Sequence, residues 1–127
     1  MLLNQKGVVQ LCDFGLATQA ALINDETEPC GSPIYMAPEV FDGKPDVKSD
    51  VWSLGISLIE MAEGKNPFEG CDREEVTRRV CDGEPPFLSR EKGSTTFVDF
   101  VNQCLVRDVR ERWSVSELKD VRTKWRT

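Results

Sequence analysis

The run from Ser49 to Gly64, S-D-V-W-S-L-G-I-S-L-I-E-M-A-E-G, leaves this chain few ways to fold. At about 100° per residue, Val51, Trp52, Leu54, Ile56, Leu58, Ile59, Met61 and Ala62 cover most of a helical circumference. A helix that is apolar nearly all round is either buried or a membrane span. A span needs about 20 apolar residues. This run is shorter, with Asp50 near its start and Glu60 inside it. It therefore predicts a central helix packed on every side. Ser49 is the natural N-cap, Gly64 the natural C′ residue, and Pro67 stops any continuation.

What surrounds that helix is bounded by composition. The 127 residues suffice for one domain and are short for two. With 39% hydrophobic and 30% charged residues, the chain reads as globular and not disordered. Its 16 basic and 22 acidic residues give a net charge of −6, which argues against nucleic acid or an anionic membrane as partner. There is no His, so the commonest acid/base group and zinc ligand is missing. Cys12, Cys30, Cys71, Cys81 and Cys104 are odd in number and never in C-x-x-C spacing. Neither a disulfide framework nor a metal site is indicated, and a reducing compartment, cytoplasmic or nuclear, fits best. The apolar start is broken by Asn4, Gln5 and Lys6, so no signal peptide is expected.

Leu2–Asn4 and Val8–Cys12 flank Gln5-Lys6-Gly7 in the pattern of a small hairpin, which alone is marginal and must lean on something else. From Asp13 to Met36 the periodicity disappears, and long aperiodic loops inside compact domains tend to be functional. Ala37–Phe41 predicts a short helix. Asp72 to Glu75 resembles a capping box opening a helix to about Asp82, with Val76 and Val80 as its apolar stripe. Thr95–Val106 is amphipathic, with Phe97, Phe100, Val101, Cys104 and Leu105 on one face. Ser114 to Glu117 is a capping box proper, and Val115, Leu118, Val121 and Trp125 line one face of the last helix. The fold class expected is mainly α, with one short β-hairpin, one long loop and four or five helices.

Asp13-Phe14-Gly15 alone would read as a strand-ending turn. It is followed, in order, by Gly31-Ser32-Pro33-Ile34-Tyr35-Met36-Ala37-Pro38-Glu39 and by Asp50-Val51-Trp52-Ser53-Leu54-Gly55. This ordered set resembles the C-terminal lobe of a eukaryotic protein kinase of the serine/threonine branch, from the D-F-G strand to the final helix. The parent fold is α+β with two lobes, and the resemblance covers essentially the whole chain.

The resemblance implies roles position by position. Asp13 matches the carboxylate that binds Mg²⁺ bridging the ATP phosphates, Phe14 the ring that reports the active or inactive state, and Gly15 the backbone pivot. Leu2 and Cys12 match residues bordering the nucleotide, or else are ordinary strand residues. The activation segment would run from about 13 to 39, with Thr27, Thr18 and Ser32 as candidate phosphorylation sites and Glu28 as a fixed charge at a usual acceptor position. Gly31, Ser32, Pro33 and Tyr35 resemble a substrate-docking loop of serine/threonine kinases. Glu60 matches a helix carboxylate that either receives a basic substrate residue or is a structural partner. Glu39 and Arg112 are expected to pair, Asp50 to accept backbone amides of the catalytic loop, and Trp52 to be structural.

The family's H-R-D-x-K-x-x-N motif does not occur in the chain, which has no His. It would precede the strand that Leu2-Leu3-Asn4 matches, as would the Gly-rich loop and the N-terminal lobe. The reading is thus a partial kinase domain, residues 1–127, inactive alone. ATP and Mg²⁺ belong to the intact family, and the implied partners are protein substrates or kinase-cascade proteins. The alternative is a non-catalytic, pseudokinase-like module that binds substrates or partners. Either way the central helix loses part of its cover, and an open apolar patch is expected on it.

Overall fold

A computed structural model describes residues 2–11 and 32–124. The elements, in order, are strands β1 (Leu2–Leu3) and β2 (Val9–Gln10), a 3₁₀ turn at Pro33–Tyr35, and helices α1 (Pro38–Phe41) and α2 (Ser49–Glu63). Then come α3 (Arg73–Cys81), a second 3₁₀ turn at Arg90–Lys92, α4 (Thr95–Cys104) and α5 (Val115–Lys124).

The hairpin is antiparallel, pairing Leu2 with Gln10 and Leu3 with Val9. Its strands are shorter than the sequence suggests because the Asn4 side chain captures the amides of Lys6 and Val8, at 2.9 and 3.0 Å, and starts the turn early. Gly7 sits at φ 79°, where only glycine is unstrained. The expectation that the hairpin leans on a core fails for Val8, Val9 and Leu11, all of which are exposed. Cys12 lies outside the described residues.

The core is built on α2. Val51, Trp52, Ile56 and Ile59 are buried with Phe68, Val76 and Val80, Leu88, Val98, Val101, Cys104 and Leu105. Gly55 lets α4 come close: a Cβ there would lie 2.8 Å from Cys104 Cβ and from Leu105 Cγ. Gly64 ends α2 in the left-handed conformation, φ 79°, with its N–H on the Glu60 carbonyl at 2.8 Å.

Two expectations about α2 need correction. Ser49 is not the N-cap but the first helical residue. Its hydroxyl accepts the Asp46 amide at 3.0 Å while its own amide donates to the Asp46 carbonyl at 2.9 Å, so the cap is displaced into the preceding turn. Nor is the helix covered on every side. Met61 is 62% exposed and Asp50 is also exposed, while Leu54 and Leu58 are only half-buried.

The other helices begin as their sequences specify. Asp72 caps α3 by accepting the Glu75 amide at 2.8 Å, and Ser94 caps α4 through the Phe97 amide at 3.2 Å. At α5 the capping box closes both ways, Glu117 N–H to Ser114 Oγ and Ser114 N–H to Glu117 Oε1, each 3.2 Å. The face of α4 is rotated from the expected one. Val98, Val101 and Cys104 are buried, whereas Phe97 and Phe100 are half-buried at the edge. On α5, Leu118 is buried but Val115 is 55% exposed, and Trp125 lies outside the described residues. Among the described residues, no helix is long and apolar enough to cross a membrane.

Candidate functional site

The segment from Ser32 to Phe41 is fastened to α2 and to the loop before α5. Ala37 and Pro38 bring Glu39 into the interior in the first turn of α1, a place where an acidic side chain also suits the helix dipole. There Glu39 meets Arg112, whose side chain is 0% exposed. Arg112 Nη1 donates to Glu39 Oε2 at 3.2 Å. Nη2 lies 2.7 Å from Oε1, but its angle leaves Oε1 without a directed hydrogen bond, so this second prong is a charge contact.

The guanidinium does more than pair. Its Nε donates to the Val106 carbonyl at 2.8 Å, Nη1 also to the Lys48 carbonyl at 2.9 Å, and Nη2 to the Arg107 carbonyl at 3.2 Å. The same guanidinium carbon lies 5.3 Å from the centre of the Trp52 ring. One buried cation thus ties together α1, the entry to α2 and the loop before α5. Only Arg supplies enough fixed donors for this, so Lys would not substitute.

At the other end of the segment, Tyr35 lies over the flank of α2. Its hydroxyl donates to Glu60 Oε2 at 2.6 Å, and its carbonyl accepts from Ser53 Oγ at 2.7 Å. Ser53 and Glu60 are two helical turns apart and therefore share a face. The phenol pKa is raised, first by its hydrogen bond to Glu60, then by burial and by the carboxylate's charge. Ser32 is exposed and Pro33 half-buried at the start of the 3₁₀ turn.

Beside Tyr35 runs a groove of about 750 Å³ along α2, lined by Leu54, Ser57, Glu60 and Met61 and also by Asp50, Leu11 and Val115. This is the open patch expected on the central helix. Asp50 makes no hydrogen bond through its side chain to any described residue.

The protein kinase domain model matches residues 1–125. The chain belongs to the protein kinase domain family. It is 40% identical over 125 residues to the dual specificity mitogen-activated protein kinase kinase hemipterous of Drosophila melanogaster, covering 93% of this chain and 11% of that protein. It is 40% identical over 126 residues to dual specificity mitogen-activated protein kinase kinase 7 of Homo sapiens, covering 93% of this chain and 30% of that one. The serine/threonine-protein kinase pakH of Dictyostelium discoideum is 38% identical over 122 residues, covering 94% of this chain and 24% of its own. The chain thus spans no more than about a third of the length of these relatives.

Of the residues to which the family resemblance gives a role, Ser32, Pro33, Tyr35, Glu39, Asp50, Trp52, Glu60 and Arg112 are described. Asp13, Phe14, Gly15, Cys12, Thr18, Thr27, Glu28 and Gly31 lie outside the described residues, and of Leu2 only the strand is described. Among the described residues, no group of three His, Cys, Asp or Glu side chains could hold a metal ion.

Two contributors were not evident from the sequence. Ser53 carries a general signal, a hydroxyl on a buried helix at the spacing of Glu60. Arg107, which donates to the Val80 carbonyl at 3.1 Å, reads only as one of several surface cations.

Proposed function

We propose that this chain supplies the substrate-docking and activation-segment-anchoring part of a serine/threonine protein kinase, a protein that transfers the ATP γ-phosphate to hydroxyls of other proteins. The observation that carries this reading is the double fastening of residues 32–39, by Glu39 to Arg112 at one end and by Tyr35 to Glu60 and Ser53 at the other. A docking loop must hold its shape while its outer edge meets a substrate, and this one is fixed from within with Ser32 exposed. Transfer itself needs positioned metal ions and a catalytic base. The H-R-D motif that supplies the base is not in the sequence, so the chain alone is inactive.

Similarity to mitogen-activated protein kinase kinases makes kinase-cascade proteins, and mitogen-activated protein kinases first among them, the partners of choice. The same relatives are named dual specificity, which widens the acceptor beyond the serine/threonine expectation. A non-catalytic binding module is the second reading. It is favoured by the open groove along α2, whose exposed Met61 and Val115 would be covered by a partner.

The test is to incubate the purified chain with Mg²⁺-ATP and a purified mitogen-activated protein kinase. The proposal expects binding of the acceptor without phosphate transfer. Transfer by the chain alone would overturn the claim of inactivity, and failure to bind would overturn the docking role.

A further inference from the structure

Two serines on α2, Ser53 and Ser57, stand one helical turn apart, and both line the groove beside Tyr35. Their hydroxyls are used differently. Ser57 Oγ donates to the Ser53 carbonyl at 3.0 Å, the back-bond to residue i−4 that a helical serine ordinarily makes. The equivalent acceptor for Ser53 is the Ser49 carbonyl at 3.4 Å, yet Ser53 Oγ lies closer to the Tyr35 carbonyl, at 2.7 Å. A hydroxyl has one proton to donate. By distance, that of Ser53 serves the loop and not its own helix.

This choice decides which element the bond supports. Without the Tyr35 carbonyl in place, the Ser53 hydroxyl would turn back to Ser49 as Ser57 does to Ser53, and no donor would be stranded on α2. The helix therefore gains little from the contact. The loop gains a fixed point in its main chain, whereas the Tyr35 bond to Glu60 fixes only the end of a side chain. That fixed point lies inside the 3₁₀ turn, where the Tyr35 and Met36 amides donate to the Ser32 and Pro33 carbonyls at 3.2 and 3.1 Å.

The far end of the segment closes without Ser53. There the Val40 amide donates to the Ala37 carbonyl at 3.0 Å and the Lys44 amide to the Glu39 carbonyl at 2.8 Å, with Glu39 held by Arg112.

We propose that Ser53 is a positioning residue: its hydroxyl, diverted from its own helix, seats the backbone of residues 32–36 on the flank of α2 and acts on that edge alone. The inference rests on the reading of this edge as the substrate-docking element. It adds which group sets the edge in place and separates that task from the Glu39 to Arg112 anchor.

The experiment compares amide hydrogen exchange of the whole chain with that of Ser53→Ala and Ser57→Ala, with no substrate present, so its outcome does not depend on docking. Alanine is the better helix former, so neither variant threatens α2. The proposal expects Ser53→Ala to speed exchange of the Tyr35 and Met36 amides about tenfold, the scale of one lost hydrogen bond. The amides of Val40 and Lys44, and those of the buried Ile56 and Val101, should stay within about twofold. Ser57→Ala removes a hydroxyl from the same groove and should move none of them.

Equal acceleration at all these sites in Ser53→Ala would mean a general loosening and overturn the proposal. Unchanged exchange at Tyr35 and Met36, or the same effect from Ser57→Ala, would overturn it as well. Adding a purified mitogen-activated protein kinase tests the underlying reading separately. Faster local exchange in Ser53→Ala with undiminished binding of that protein would uphold the positioning role and count against docking at this edge.

Discussion

The two sides of α2 are built on opposite principles. One side closes on α4 and the loop before α5. There Trp52 and Ile56 are fully buried, Gly55 admits Cys104 and Leu105, and Arg112 satisfies a carboxylate and three carbonyls at once. The other side carries Asp50, Leu54, Ser57 and Met61 along an open groove. The closed side is specified by volume and by a single cation. The open side is lined by exposed and half-buried side chains, with Met61 and Asp50 among the exposed. The docking segment lies at the border, with Glu39 on the closed side and Tyr35 at the edge of the groove.

The sharpest way to break this contrast is at Arg112. Arg112→Ala strands a buried carboxylate and the carbonyls of Lys48, Val106 and Arg107. Removing one member of a buried pair costs on the order of 3–5 kcal/mol, so chemical denaturation should find this variant largely unfolded. Next in size is Gly55→Ala. Its new Cβ would meet Cys104 and Leu105 at 2.8 Å, and overpacking of this kind costs about 1–3 kcal/mol, read as a shift in the denaturation midpoint. A similar loss from a substitution on the open side would dissolve the distinction.

The border responds to pH. Glu60 and burial raise the folded phenol pKa of Tyr35, so the folded state holds this proton more tightly than the unfolded chain. The associated stability is fully present below the unfolded value of about 10 and is lost as pH rises through the folded value. Glu60→Gln should flatten that alkaline loss in denaturation measured across this range. Smallest of all is Met61→Lys on the open side, which should change stability by no more than about 0.5 kcal/mol while reducing binding of an apolar dye to the groove.

The same contrast explains what could be read from the sequence. The closed side was legible because periodicity and volume speak directly. The extent of α2, its Gly64 terminus, the stripe of Val76 and Val80, and the Glu39 to Arg112 pair, implied by family resemblance, are all found. The face of α4 was misjudged because Phe97 and Phe100 look like the strongest core residues. The smaller Val98 is the buried one instead. Val115 lies inside the last capping box, in the first turn of α5, where it lines the groove. Ser49 was assigned a capping role that the turn from Asp46 pre-empts. Tyr35 and Glu60 were each singled out, yet their contact depends on how a 3₁₀ turn lies across a helix. That information resides in tertiary geometry.

The central claim is that residues 32–36 form a substrate-docking edge held rigid by groups behind it. The most direct measurement is amide exchange of the whole chain with and without a purified mitogen-activated protein kinase. The account predicts new protection concentrated at residues 32–36, diminished in Tyr35→Phe, with no phosphate transferred on adding Mg²⁺-ATP. Protection confined to the groove around Leu54 and Met61, with residues 32–36 unchanged, would contradict it and favour the binding-module reading.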